Sequence, residues 1–228
     1  MLKFFNSSLG KKCVMAVTGL LLFGFVVAHM LGNLQIFLGQ SALNDYAKHL
    51  EELEFLLWPA RAFLLTVLAL HIFVAIRLTA ENRAARPVRY AHEGTIKATY
   101  ASRTMMMSGV IIFLFIVYHL LHFTVRTIEP SYSLLVDSEG RRDVYAMVVL
   151  SFQQPLVAIS YIVAMATLCF HLSHGLESLF QTLGFKKPSR AATFKVFARV
   201  ASLVIFIGNS SIPLSIFMGW VKLPGGGL

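Results

Sequence analysis

Hydrophobic positions in this chain fall into five long apolar runs, separated by short segments that hold most of the charge. The first extends from Val14 to about Leu38, the second from about Phe55 to Leu78, and the third from about Thr104 to Val125. The fourth covers about Pro155 to Leu179, after a less regular apolar stretch that begins at Val144, and the fifth about Val196 to Trp220. Each matches the length of roughly 20 apolar residues that a helix needs to cross a hydrocarbon core of about 30 Å. The pattern therefore predicts an all-α fold, an integral membrane bundle of five transmembrane helices. Residues 1–228 form a single transmembrane domain, with no room for a separate soluble one.

Local signals refine the ends. The first run is too long for a signal-peptide core and has no small-residue cleavage site after it, so it is expected to be retained. Before it, Leu2-Lys3-Phe4-Phe5 and Lys11-Lys12 read as an interfacial anchor. Trp58 and Pro59 mark an interfacial entry to the second helix, Pro213 predicts a kink in the fifth, and Pro224-Gly225-Gly226-Gly227 a frayed end.

Composition supports the membrane class: 57% of residues are apolar and 14% charged, against roughly 45–50% and about 25% in soluble domains. The net charge of +9 is distributed by membrane side rather than in a nucleic-acid-binding patch. With the N-terminus cytoplasmic, the inner segments carry 14 of the 20 Lys and Arg, among them Arg77, Arg83, Arg86, Arg89, Lys97 and Arg103. The outer segments carry 6 basic residues and 8 of the 11 acids. By the positive-inside rule the N-terminus is inside and the C-terminus outside. Cys13 and Cys169 lie far apart in or beside apolar runs and read as packing residues.

Eight histidines carry the candidate chemistry. His49 and His92 fall in predicted loops and read as solvated or interfacial residues. The other six lie within apolar runs, where an ionisable side chain is costly and points to function. One such histidine is as readily a helix-to-helix hydrogen-bonding group as a ligand; six on four helices call for a joint explanation. Counting along the runs at about 1.5 Å per residue places His29 and His119 toward the outer side and His71 and His171 toward the inner, at levels roughly 10–12 Å apart. Two histidines at one depth on different helices suit the two axial positions of a haem iron, which then carries electrons rather than binding oxygen. Helices three and four each bear H-x-x-H, as His119 with His122 and His171 with His174. Residues three apart share a helix face, and spacing alone leaves open which of each two reaches the iron. A zinc site would gather its ligands at one depth, and a di-iron site would bring carboxylates, of which only Glu177 lies near the fourth helix.

The residues His29-Met30-Leu31-Gly32-Asn33, His71 followed by Arg77, Tyr118-His119, and above all Phe170-His171-Leu172-Ser173-His174-Gly175-Leu176 resemble those of a known family. It is the membrane-anchor dihaem cytochrome b subunit of succinate dehydrogenases and fumarate reductases (respiratory complex II), in its single-subunit five-helix form. The resemblance covers essentially the whole chain. It implies that His29 with His119 ligates an outer haem b and His71 with His171 an inner one, which selects His119 and His171 over His122 and His174. It also implies a flavoprotein partner that oxidises succinate at FAD and an iron–sulphur partner docked on the cytoplasmic basic loops, around Arg83–Arg103 and Lys186–Arg199. A bacterial cytoplasmic membrane and a membrane quinone as electron partner follow from the same resemblance. Where fumarate reductases of this type carry a glutamate two residues before the fourth-helix ligand, this chain has Cys169.

Weaker candidates surround these four. Asn33 and Gln35 with His122 offer polar groups for a quinone near the outer haem, against a reading as ordinary helix-end polarity. Arg77, Arg103, His174 and Ser173 suit propionates or a second quinone, while the arginines equally suit snorkelling to headgroups. Gly19, Gly24, Gly32 and Gly109 permit close approach of a macrocycle or a helix. Two rival functions remain at this level: a dihaem cytochrome b of a nitrate reductase, hydrogenase or formate dehydrogenase, and a haem-free proton-relay transporter. The latter should show broken helices in repeated halves.

Overall fold

In lipid the backbone N–H and C=O groups have to be satisfied within the protein, and each of the five apolar runs is helical. The computed structural model describes residues 7–85, 103–185 and 187–225. The expectations for Leu2–Phe5, Arg86, Arg89, His92, Lys97, Lys186 and Gly226-Gly227 lie outside these residues. In chain order the helices are α1 (Ser8–Asn33), α2 (Gln40–Glu52), α3 (Glu54–Ala84), α4 (Met105–His119), α5 (Val144–Phe152), α6 (Pro155–Thr182) and α7 (Ala191–Phe217). Among the described residues there is no strand, only an isolated bridge between Val136 and Arg142. Five segments are long and apolar enough to span a membrane: Ser8–Leu38, Glu54–Ala84, Met105–Thr124, Pro155–Thr182 and Ala191–Phe217. The chain is a multi-pass membrane protein, with these five spans among the described residues.

Their ends have local causes. Ser7 caps α1 by accepting from the Gly10 N–H at 3.0 Å. The first span continues as a 3₁₀ segment, Leu34–Leu38, and stops at Gly39, whose φ of +103° starts α2. Pro155 opens α6 at a first-turn position, where its missing N–H costs nothing. Trp58 is exposed beside Arg61, whose guanidinium lies 5.1 Å from the indole centroid, as suits an interfacial entry. α7 runs on through the fully buried Pro213 to Phe217.

Two elements differ from the sequence expectation. His49 is not in a loop: it lies in the last turn of α2, on an amphipathic helix that folds over one end of the bundle. The apolar stretch from Val144 is a separate nine-residue helix, α5, with seven buried residues. The sequence sets this stretch apart from the fourth span but does not show it to be a helix, because a short, fully buried helix has no polar face.

α1 packs on α3, α6 and α7, α4 packs on α6, and α6 packs most extensively on α7. The tightest core lies at the end where α1 finishes and α3 begins. There Ile36, Leu43, Val149, Phe152, Tyr161, Ile212 and Ile216 pack together, under a cap formed by α2 and α5. At the opposite end, called the open end because among the described residues no helix like α2 or α5 covers it, Lys11 bonds both carboxylate oxygens of Glu81, at 2.5 and 2.7 Å, tying the start of α1 to the end of α3.

The cap turns on one fully buried side chain, Asn44. Its amide donates to Asp137 and Asp143 at 3.0 Å each, and its carbonyl accepts from the Tyr145 N–H at 3.0 Å. Asp143 also caps α5 through the Ala146 N–H at 2.9 Å. Arg141 pairs with Asp137 at 2.7 Å and with Asp45. Asn44→Ala should destabilise the protein by about 1–3 kcal/mol, since it strands a buried N–H and two carboxylates; denaturant unfolding in detergent measures this. Burial opposes ionisation of Asp137, but bonds from Asn44, from Arg141 through backbone and side chain, and from the Glu139 N–H outweigh it and hold the carboxyl at about 2. A depressed carboxylate contributes stability above its unfolded value of about 3.9, and loses it as pH falls through the folded one. Amide protection in α2 and α5, taken relative to the intrinsic exchange rate at each pH, should therefore fall as pH drops from 4 toward 2, and fall at higher pH in Asn44→Ala.

Candidate functional site

Eleven residues make almost exact whole turns of an α-helix, about three, so positions eleven apart share a face. α1 carries Thr18 and His29 at that spacing, and α4 carries Ser108 and His119. α3 and α6 contribute His71 and His171. The four intramembrane histidines picked from the sequence thus come from four helices, and fall into two groups along the bundle.

Toward the capped end, His29 and His119 face each other with ring centroids 5.7 Å apart and planes at 90°. Phe25 stacks on His29 at 5.4 Å, and Phe115 and Phe123 lie 5.9 and 5.6 Å from His119. The Tyr161 hydroxyl of α6 sits between two histidines, 3.4 Å from His119 Nδ1 and 3.0 Å from His122 Nδ1. His122 is 3% exposed and stacks on Phe123 at 4.2 Å. The H-x-x-H of α4 therefore does not present two equivalent rings to one space: His119 meets α1, and His122 is packed into the cap core. A π-helical turn, Leu120–Thr124, follows His119, with the Val125 N–H reaching back to Leu120 O at 2.7 Å. Such turns recur at functional sites. Arg126, with φ of +61°, closes the helix.

Toward the open end, His71 Nδ1 lies 3.0 Å from Thr18 Oγ1, and His171 Nδ1 lies 3.0 Å from Ser108 Oγ. His171 is within electrostatic reach of His71 and His174. A Cβ on Gly19 would stand 3.4 Å from His71 Cε1, and one on Gly109 3.7 Å from His171 Cε1. These two glycines make room for the histidine rings. Gly32 instead admits Tyr46, whose hydroxyl oxygen would lie 2.5 Å from an added Cβ, and nothing lies within 4 Å of a Cβ on Gly24. The offset from Thr18 to His29, and from Ser108 to His119, sets the two levels about 16 Å apart along the helices. That exceeds the separation of roughly 10–12 Å counted along the apolar runs.

The remaining candidates are scattered. Asn33 donates to the His29 backbone carbonyl at 2.8 Å, and Ser173 to that of Phe170 at 2.8 Å; both are bonds within their own helix. Arg77 is exposed, with its guanidinium 5.9 Å from the Phe73 ring centroid. Arg103 is exposed before α4, and Gln35 and His174 are half-buried on the 3₁₀ segment and α6. Sequence reading missed Thr18, Ser108 and Tyr161. The first two carry a signal, the repeated Thr/Ser-Gly-x₉-His of Thr18-Gly19 to His29 and Ser108-Gly109 to His119. Tyr161 carries none.

The donor set has a definite chemistry. Among the described residues no three His, Cys, Asp or Glu side chains converge on one point, whereas a bare zinc ion takes three or four protein ligands. Paired imidazoles on opposed helices, with a hydroxyl beside the Nδ1 of His71, His119 and His171, suit a metal that brings other ligands of its own and needs two from the protein, as haem iron does.

The family model for the succinate dehydrogenase/fumarate reductase transmembrane subunit matches residues 79–208. Comparison with curated proteins and with solved structures returned no match. The matched stretch takes in all of α4, α5 and α6 and most of α7, including His119, Tyr161 and His171. It spans more than half of the residues, and the chain belongs to the succinate dehydrogenase/fumarate reductase transmembrane subunit family.

Proposed function

We propose that this chain is the dihaem cytochrome b anchor of a succinate:quinone oxidoreductase, with His29 and His119 as the axial ligands of an outer haem b and His71 and His171 as those of an inner one. The observation that carries the reading is the 5.7 Å approach of the His29 and His119 rings from opposed helices; family membership supports it. Bound between those histidines, two haems would relay single electrons through the depth of the membrane between an iron–sulphur partner and a quinone.

The chain's own part is position and electrostatics. The capped end faces outward and the open end the cytoplasm, as the basic bias of the segments at the open end favours; the membrane is a bacterial cytoplasmic membrane. The iron–sulphur subunit docks at the open end, with the FAD-bearing flavoprotein beyond it. Lys11 is taken up by Glu81, so docking charge comes from other basic residues of that face, Arg83 and Lys187 to Arg199 among them. Phe25, Phe115 and Phe123 surround the outer pair and exclude water from it. Quinone exchanges electrons near that pair, where Asn33, Gln35 and the 3₁₀ segment end the first span.

Haem b per polypeptide, measured by pyridine haemochrome on the purified complex, tests this. Two haems are expected in the parent. His29→Ala and His119→Ala should each remove the same one, and His71→Ala and His171→Ala the other. A folded complex without haem would sink the reading.

A further inference from the structure

The two hydroxyls at the open end hold a piece of information that the histidines alone do not. A hydroxyl has one proton to give. Thr18 Oγ1 lies 2.8 Å from Val14 O and 3.2 Å from Met15 O, and Ser108 Oγ lies 3.0 Å from Met105 O, each in donating geometry. Back-bonding to the preceding turn is the ordinary habit of Ser and Thr in an apolar helix, and it spends the proton. The oxygen is then left as an acceptor, facing an imidazole nitrogen at 3.0 Å in both places. A neutral imidazole has one N–H, and the bond it makes selects which nitrogen carries it. The ring must donate from Nδ1, and Nε2 keeps its lone pair for a metal.

We infer that Thr18 and Ser108 are positioning residues for the inner pair of axial histidines, each fixing the Nδ1–H tautomer and the ring orientation of one ligand. The inference rests on the dihaem reading above. The arrangement crosses between the levels: α1 supplies a ligand at the outer level through His29 and orients His71 of α3 at the inner one. α4 does the same through His119 and Ser108, acting on His171 of α6. The adjacent glycines belong to the same device, since Gly19 and Gly109 leave the space in which the oriented rings stand. Back-bonding alone would explain a hydroxyl turned to its own helix. It does not explain two of them, each eleven residues before a histidine, each followed by a glycine and each touching the Nδ1 of a histidine on another helix.

An N–H that donates gives its ring a more basic Nε2, which favours the ferric over the ferrous iron. Removing the acceptor should therefore raise the potential of the inner haem alone. In the assembled complex, Thr18→Val and Ser108→Ala should each retain two haems per chain. Each should lower the ferric-over-ferrous preference of the inner haem about tenfold, or about 59 mV for a one-electron couple, and shift its low-spin ferric EPR signal. The other haem, identified through His29→Ala, should keep its parent potential and signal, and Thr18→Ser should restore the inner ones. Ser108→Ala, a small change within a helix, serves should Thr18→Val not assemble. Parent potential and EPR signal at the inner haem in the variants, or equal shifts at both haems, would overturn the inference. A parent complex lacking haem would instead overturn the dihaem reading itself.

Discussion

An imidazole inside a lipid-immersed bundle must satisfy its N–H on another helix or pay the full cost of stranding it, and the architecture depends on where these rings find partners. His71 reaches Thr18, His171 reaches Ser108, and His119 and His122 share the hydroxyl of Tyr161. Each bond joins two different helices: α3 to α1, α6 to α4, and α4 back to α6. Apolar contact between helices in lipid gains little over contact with lipid chains, so polar links of this kind fix which faces meet and at what level. Without them the four histidine-bearing helices would have weak grounds for one rotation over another.

The two ends of the bundle meet this constraint differently. In the first four spans only 11–17% of the most apolar window is buried, against 39% in the fifth. The first four thus leave most of their apolar surface to lipid and to the space between them. The packed core lies instead under the cap, where α2 and α5 bring Leu43 and Val149 against Ile212 and Ile216. Asn44 holds that cap by bonding two aspartates and a backbone N–H at once. Its network keeps Asp137 ionised well into acid, so the cap stays closed around the end of the bundle that carries His29 and His119.

Small residues and irregular turns do their work where rings approach. Gly19 and Gly109 stand beside the imidazoles of His71 and His171, and Gly32 beside the Tyr46 hydroxyl. The π turn after His119 lets α4 end with His122 buried against Tyr161 while His119 still faces α1. A plain α-helical count through Val125 treats the two histidines as equivalent neighbours on one face, and so misses that His119 meets His29 of α1 while His122 is buried against Phe123 and Tyr132.

Hydropathy alone determined the five spans, because a bilayer demands runs of about 20 apolar residues and nothing else in this chain is long enough to be confused with one. It also singled out six histidines as candidates, since a titratable ring within such a run is costly, and left open which member of each H-x-x-H is used. The pairing of His29 with His119 was legible from depth, and the structure brings those rings together. Helix α5, the helical setting of His49 and the position of Asn44 were not legible: they arise from burial under the cap, and a short buried helix has no periodic signature. Nor did the sequence disclose what Thr18, Ser108 and Tyr161 do. A hydroxyl in an apolar helix looks the same whether it bonds only its own backbone or also a ring across the bundle, and only the tertiary structure, by setting α3 beside α1 and α6 beside α4, decides between them.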